Sequence, residues 1–149
     1  MKVLVAMDGT NESLRAGREA VRLFADAEFL MIKVTQLTIP WMAGDQFGMV
    51  YPTSSADLLL DRPDVAELRT LADAAGLDDA TVLNPVGDPG SAICAAAEEH
   101  DVDVVVIGSH DRGVLSRLIS PSVTDAVVHG THRAVLVVSG TPSTDAPAD

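Results

Sequence analysis

Short runs of Val, Ile and Leu alternate with helical segments along the chain, and the run that constrains the fold most is 102–107. Five of its six residues are Val or Ile, which is typical of a strand buried on both faces of a parallel sheet. The predicted strands are 2–7, 28–34, 80–86, 102–107 and 134–138, with helices predicted over 11–25, 65–76, 91–100 and 120–130. This alternation predicts an α/β fold, an open five-stranded parallel sheet with right-handed crossovers and helices on both faces.

The chain has 149 residues, enough for one domain, and we find no internal repeat. We predict one domain over residues 1–139, followed by a flexible C-terminal tail over 140–149 that is rich in Pro, Ser and Asp. Cys94 is the single cysteine, which excludes an internal disulfide and fits a reducing compartment; its apolar surroundings predict a small core residue. No apolar run approaches the ~20 residues of a membrane helix, and residues 2–7 resemble a strand rather than a leader. We therefore expect a cytoplasmic protein without a membrane partner.

The charge is strongly acidic, with 22 acidic residues against 10 basic ones and a net charge of −12. Such a surface argues against nucleic acid as a partner, because phosphate backbones would be repelled. It also suggests a halophilic protein, since screening at high salt lets many carboxylates lie close together. A high-GC genome would favour the same Ala, Asp and Arg content, so both explanations stay open.

Segment 108–123 begins Gly108-Ser109-His110-Asp111 and resembles the signature of the universal stress protein family. Met7-Asp8-Gly9-Thr10, the turn at 87–89 and the final apolar run agree with that pattern in order and spacing. The resemblance implies a Rossmann-like sheet of order 3-2-1-4-5, similar to adenine nucleotide alpha hydrolases. It also implies a homodimer paired through the last strand, whose residues are Ala134, Val135, Leu136, Val137 and Val138.

A nucleotide site is implied by the same resemblance, with ATP or AMP as its ligand. In sheets of this order, ligands bind at the carboxyl ends of the strands where the strand order reverses. The candidate residues are Ala6, Asp8, Val34, Gly108, Ser109, His110, Ser122 and Val123. Asp8 would approach a metal only if a Mg-nucleotide binds, and we predict no other metal site. A second interpretation of Asp8, as the acceptor of an Asx-turn before the first helix, is equally compatible with the sequence.

Two residues depart from the nucleotide-binding signature at its phosphate end. Asp111 replaces a glycine and adds a negative charge, which costs about 1–4 kcal/mol against one phosphate charge at ~4 Å. Pro121 replaces another glycine and has no N–H, and a lost hydrogen bond to a charged group costs about 1.5–3 kcal/mol. We expect the two changes together to weaken the free energy of ATP binding by about 3–6 kcal/mol, which is a hundred- to ten-thousandfold loss of affinity.

Stretch 35–62 is irregular and contains Trp41, Phe47 and Tyr51. Long loops in compact domains are usually functional, so it is expected to cover the strand ends or to contact another protein, unless it packs on its own helix. No Ser-His-Asp, Cys-His or paired-carboxylate pattern stands out, and we predict a protein that is not an enzyme. Three hypotheses remain: a homodimeric stress-response binding protein with weak or no ATP binding, an ATP/AMP-binding switch, and a scaffold that acts through 35–62.

Overall fold

The computed structural model describes residues 1–36, 62–109 and 123–139. Five strands alternate with four helices in these ranges, which confirms the predicted α/β class. In chain order the elements are β1 (Lys2–Ala6), α1 (Asn11–Leu23), β2 (Glu28–Ile32), α2 (Val65–Ala74), β3 (Thr81–Leu83), α3 (Pro89–Glu99), β4 (Val104–Ser109), α4 (Val123–Gly130) and β5 (Ala134–Ser139).

All strand pairs in the sheet are parallel, and the strand order is β3-β2-β1-β4-β5, as predicted. Ala6, the last residue of β1, is paired with Ile32 of β2 on one side and with Ile107 of β4 on the other. The chain therefore leaves β1 in one direction to build β2 and β3, and in the other to build β4 and β5. The order reverses between β1 and β4.

Two apolar cores lie on opposite faces of the sheet because successive strand side chains point to opposite sides. Val3, Val5 and Val106 are fully buried on one face, under α1 and α2. Leu4 and Val105 are fully buried on the other face, under α3 and α4. Complete burial of each such side chain contributes about 1.5–3 kcal/mol, so the central strands are the most strongly held part of the fold.

Several element boundaries differ from the predicted ones. β3 contains only Thr81–Leu83 instead of 80–86, because Pro85 lacks the N–H that a longer ladder needs. α3 begins at Pro89 instead of Ser91, since the Asp88 carboxylate accepts the Ser91 N–H at 2.9 Å and proline suits the first helical turn. That hydrogen bond also lowers the pKa of Asp88. β4 begins two residues later than predicted and continues to Ser109.

The face of α1 that packs on the sheet consists of small residues. The buried residues of this helix are the small ones, Ser13, Ala16, Gly17 and Ala20. Leu14, Val21 and Phe24 are only partly buried at its flanks. Small side chains let the helix approach its neighbours closely: a Cβ on Gly17 would lie 2.7 Å from Ala75 Cβ.

Cys94 was predicted to be a core residue, and it is only half-buried, at the contact between α3 and α4. Its Sγ lies 2.9 Å from the position that a Cβ on Gly130 would take. Burial, followed by the charge of Glu98, raises the pKa of the thiol. This environment favours the neutral thiol, which agrees with a packing role.

Candidate functional site

The carboxyl ends of β1, β2 and β4 meet at one edge of the sheet. Because Ala6 is paired with both Ile32 and Ile107, the residues after these positions emerge side by side. Asp8 and Val34 each lie two residues beyond the pairing, and Gly108 directly follows Ile107. Five predicted site residues therefore share this edge: Ala6, Asp8, Val34, Gly108 and Ser109.

The remaining predicted residues are distributed differently. Val123 is the first residue of α4, which packs against β4 and α3, and its side chain is 37% exposed. His110 and Ser122 lie outside the described residues, as do Asp111 and Pro121. Trp41, Phe47 and Tyr51 also lie outside them, together with the tail over 140–149.

Asp8 forms the turn that its second interpretation predicted. Its Oδ1 accepts hydrogen bonds from the Thr10 backbone N–H at 2.9 Å and from the Thr10 hydroxyl at 2.5 Å. Gly9 between them has φ +89°, a conformation that disfavours other residues. The carboxylate is thus held in a fixed position at the end of β1, and a ligand at this edge would meet it there.

Gly108 lies directly against the first turn of α1. A Cβ at this position would be 2.7 Å from the Glu12 carbonyl oxygen, 2.8 Å from the Glu12 carbonyl carbon and 3.1 Å from the Ser13 nitrogen. All three are backbone atoms, so no side-chain rotation could make room for it. The glycine that resembles the nucleotide signature is therefore also required for packing of β4 against α1.

The N-terminus of α1 points to the same edge, and two hydroxyl side chains organise it. Thr10 is the N-cap, and its Oγ1 accepts the Ser13 backbone N–H at 3.3 Å. Ser13, only 4% exposed, donates its hydroxyl to the Thr10 carbonyl at 3.0 Å, and its Oγ accepts the Asp8 N–H at 3.4 Å. Sequence reasoning did not assign these two residues to the site. The spacing of Thr10 and Ser13, which is that of an N-cap and its N3 position, was the available signal.

Lys33 is a third residue at this edge that sequence reasoning missed. It follows β2, and its Nζ lies 3.8 Å from the position that a Cβ on Gly9 would take. The ammonium group is therefore beside the turn that contains Asp8. Together with the positive end of the α1 dipole, it places positive charge at an edge of an otherwise acidic protein.

Ala6 and Val34 provide apolar surface at this edge. Ala6 is 8% exposed, and Val34 is half-buried against the core formed with α3 and α4. Apolar surface beside a few fixed polar groups is the usual composition of a small-molecule site. In the ranges that the structure describes, no group of three or more His, Cys, Asp or Glu side chains is arranged to hold a metal ion.

β5 forms one border of the sheet and is covered less than the other long strands. None of its residues is fully buried, and Val137 is 38% exposed. Val128, on the neighbouring helix α4, is 45% exposed. The predicted dimer strand is therefore an edge strand with apolar side chains that are open to solvent.

The comparison with known families agrees with this geometry. The model of the universal stress protein family matches residues 1–139. The chain belongs to this family. Two universal stress proteins, from Synechocystis sp. and Methanocaldococcus jannaschii, are each 38% identical to it over 53 residues. That segment is 36% of this chain and spans 49% of the first relative and 33% of the second.

Solved structures of universal stress proteins share the fold. One is in complex with cAMP and has a TM-score of 0.65 at 23% identity, covering 93% of this chain and 96% of the other. One from Lactobacillus plantarum has a TM-score of 0.62 at 20% identity, with 93% and 97% covered. One from Arabidopsis thaliana has AMP bound and a TM-score of 0.60 at 18% identity, with 100% and 97% covered.

None of the helices in residues 1–36, 62–109 and 123–139 is long and apolar enough to cross a membrane.

Proposed function

We propose that this universal stress protein is a homodimeric, stress-response binding protein that binds ATP weakly or not at all and is not an enzyme. The observation that carries the proposal is the edge at the order reversal, where Asp8, the N-terminus of α1 and Gly108 lie together. A ligand there would meet a fixed carboxylate and helix N–H groups, an arrangement suited to recognition.

Adenine nucleotides are the ligand class that this edge would accept. Structures with the same fold hold cAMP in one case and AMP in another, which supports a nucleotide at the corresponding edge here. Ala6 and Val34 would contact the base, and Ser109 with Val123 would border the sugar and phosphates. We place His110 and Ser122 in the same site because of their positions in the signature.

Weak binding of ATP follows from the phosphate end of the signature. Asp111 brings a negative charge, and Pro121 removes a backbone donor. AMP and cAMP carry fewer phosphate groups than ATP, so they would suffer less from both changes. An ATP- or AMP-binding switch is the second candidate, and the relatives with AMP and cAMP favour it. The scaffold hypothesis depends on 35–62, most of which lies outside the described residues.

The assembly would be a homodimer paired through β5, because its exposed apolar edge invites pairing with a second chain. Two antiparallel copies would close the interface by two-fold symmetry. We further propose a cytoplasmic location, one domain over residues 1–139 with a flexible tail after it, and adaptation to high salt.

Calorimetric titration with ATP, ADP, AMP and cAMP tests the proposal, at low salt and at molar salt. We expect ATP to bind more weakly than AMP or cAMP, or not measurably. High salt should make the difference in affinity between ATP and the monophosphates smaller, because it screens the charge of Asp111 from the phosphates. Micromolar ATP binding in both buffers would contradict the proposal and favour the switch.

Repair of the signature provides a direct test of its cause. The double substitution Asp111→Gly with Pro121→Gly should raise the ATP affinity at least about tenfold, since it removes a charge and restores an N–H. The single substitutions should contribute roughly additively if they affect different phosphate groups. A folded double variant with unchanged affinity would show that the loss arises elsewhere, with Ala6 and Asp8 as the next positions to change.

A further inference from the structure

A cavity lies between α2 and the border strand β3, and none of the described residues that line it was assigned to the candidate nucleotide edge. Its volume is about 550 Å³, within the range of cavities that hold small ligands. Of the eight described residues that line it, six bear two guanidinium groups, one amide and three apolar side chains: Arg62, Arg69, Asn84, Val65, Leu68 and Val82. β3 is paired with β2, and Asn84 in the cavity wall donates to the Lys33 carbonyl, so the cavity is adjacent to the β2 end of the edge described above but is lined by different residues.

The two arginines are held by neutral acceptors and not by carboxylates. Arg62 donates from Nε to Asn84 Oδ1 at 3.0 Å and from Nη2 to the Asn84 carbonyl at 3.2 Å. Arg69 donates from Nη1 to the Ala80 carbonyl at 2.9 Å. Within residues 1–36, 62–109 and 123–139, neither arginine has a carboxylate at ion-pair distance. Each guanidinium has five N–H donors, so most of them remain for a ligand.

This arrangement is unusual for so acidic a chain. With 22 acidic residues and 10 basic ones, a carboxylate would be the expected neighbour of any arginine. Arg22 and Arg133 follow this expectation, at 2.8 Å from Glu19 and 3.0 Å from Glu98. Arg18 does not, since it donates to the Ala74 carbonyl. Among the residues that the structure describes, the two cavity arginines therefore have no carboxylate partner on a protein of net charge −12.

Asn84 fixes the orientation of Arg62 because it is itself held on both sides. Its Nδ2 donates to the Lys33 carbonyl at 2.6 Å and to the Thr35 hydroxyl at 3.1 Å, so that its Oδ1 is directed to Arg62. Thr35 is 6% exposed and therefore a rigid support. A donor group that is oriented before binding loses less side-chain entropy when the ligand arrives.

The other described residues of the wall are apolar apart from one carboxylate. Leu68 is 5% exposed, Val82 is half-buried, and Val65 is 74% exposed. Asp64 also lines the cavity, but its Oδ1 accepts the Glu67 backbone N–H at 2.8 Å as the N-cap of α2. Its charge is therefore partly balanced by the helix N-terminus.

We infer that this cavity binds small organic anions, with the anionic group at Arg62 and Arg69 and an apolar body against Leu68 and Val82. Guanidinium groups suit carboxylate, sulfonate and phosphate oxygens because they offer paired N–H donors in one plane. A bare inorganic anion would bind less well, because it would leave the apolar side chains of the wall in contact with water. The occupant is thus an anion attached to an aliphatic or aromatic group.

Fluorescence titration with 1-anilinonaphthalene-8-sulfonate tests this inference. The probe combines a sulfonate with an aromatic body, and N-phenyl-1-naphthylamine offers the same body without the charge. We expect saturable binding of one sulfonate probe per chain. The double variant Arg62→Gln with Arg69→Gln should bind the probe at least about tenfold more weakly. Arg18→Gln is the matched control, because Arg18 also donates to a backbone carbonyl, that of Ala74, and does not line this cavity.

Val65→Asp provides a second test that does not remove any contact of the arginines. An acidic residue in the first turn of a helix is tolerated, so the variant should fold, and its charge should repel the sulfonate. Val65→Asn is its neutral control and should bind nearly as the unaltered protein does. Circular dichroism checks the fold of each variant. The inference would be overturned if the uncharged probe bound as well as the sulfonate, or if no saturable binding were seen. It would also be overturned if both Val65→Asp and the double arginine variant bound the sulfonate with unchanged affinity.

Discussion

Substitution of Gly108 by alanine tests the packing of β4 against α1. The added Cβ would meet the Glu12 carbonyl oxygen at 2.7 Å and the Glu12 carbonyl carbon at 2.8 Å. Backbone on both sides must then separate by roughly 0.7 Å to reach an ordinary contact distance in a close-packed interior. Overpacking of this kind costs about 2–3 kcal/mol. The loss of glycine freedom in the unfolded chain offsets about 0.4–1 kcal/mol, which leaves about 1–2.5 kcal/mol of destabilisation.

In a domain of this size, each kcal/mol corresponds to about 2–4 °C, so the melting temperature should fall by roughly 2–10 °C. Thermal unfolding followed by circular dichroism at a fixed salt concentration measures the change. Gly130→Ala is the control, because among the described residues its Cβ would come within 4 Å of the Cys94 sulfur alone, at 2.9 Å, and a side-chain sulfur can move. If Gly108→Ala melts like the unaltered protein, or no lower than Gly130→Ala, the close approach does not constrain the fold.

Three further predictions concern charge and assembly. The hydrogen bond from Arg133 lowers the pKa of Glu98, so this pair stabilises the fold above the ordinary glutamate pKa of about 4.3 and loses its effect as pH falls through the lowered value. Arg133→Gln removes this pair and also the 2.8 Å pair with Asp101, so it should melt at a lower temperature than the unaltered protein. This difference in melting temperature should become smaller in acid. A difference that does not change with pH would contradict the prediction. Val137→Glu or Leu136→Pro should give a monomer or an unfolded chain, and light scattering that finds a monomer for the unaltered protein would refute pairing through β5. Removal of salt should lower the melting temperature, because carboxylates then repel one another; equal values in dilute buffer and molar chloride would favour the genome-composition explanation.

Much of the fold could be predicted from local pattern. Runs of Val and Ile predicted the strands, and the family resemblance predicted their order, which the structure confirms. Boundaries were less predictable because they depend on partners. β4 begins at Val104 because that residue is the first with partners in both β1 and β5.

For the candidate site, residue types and spacing determined which residues would gather at one edge, since parallel strands bring their carboxyl ends together. Asp8, Val34 and Gly108 could be named for this reason. What each residue contacts was decided by the tertiary structure. The sequence left two roles open for Asp8, and the fold shows the hydrogen bonds of the turn.

The sequence by itself determined the class of fold, the strand positions and the family, because hydrophobic periodicity and a signature motif are properties of neighbouring residues. Only the tertiary structure decided that Gly108 packs on the backbone of α1, that Lys33 lies beside Gly9, and that Arg62 and Arg69 share one cavity. These contacts join residues that are distant along the chain. The distances between these residues are set by how the helices pack on the sheet, and no pattern of neighbouring residues in the sequence encodes that packing.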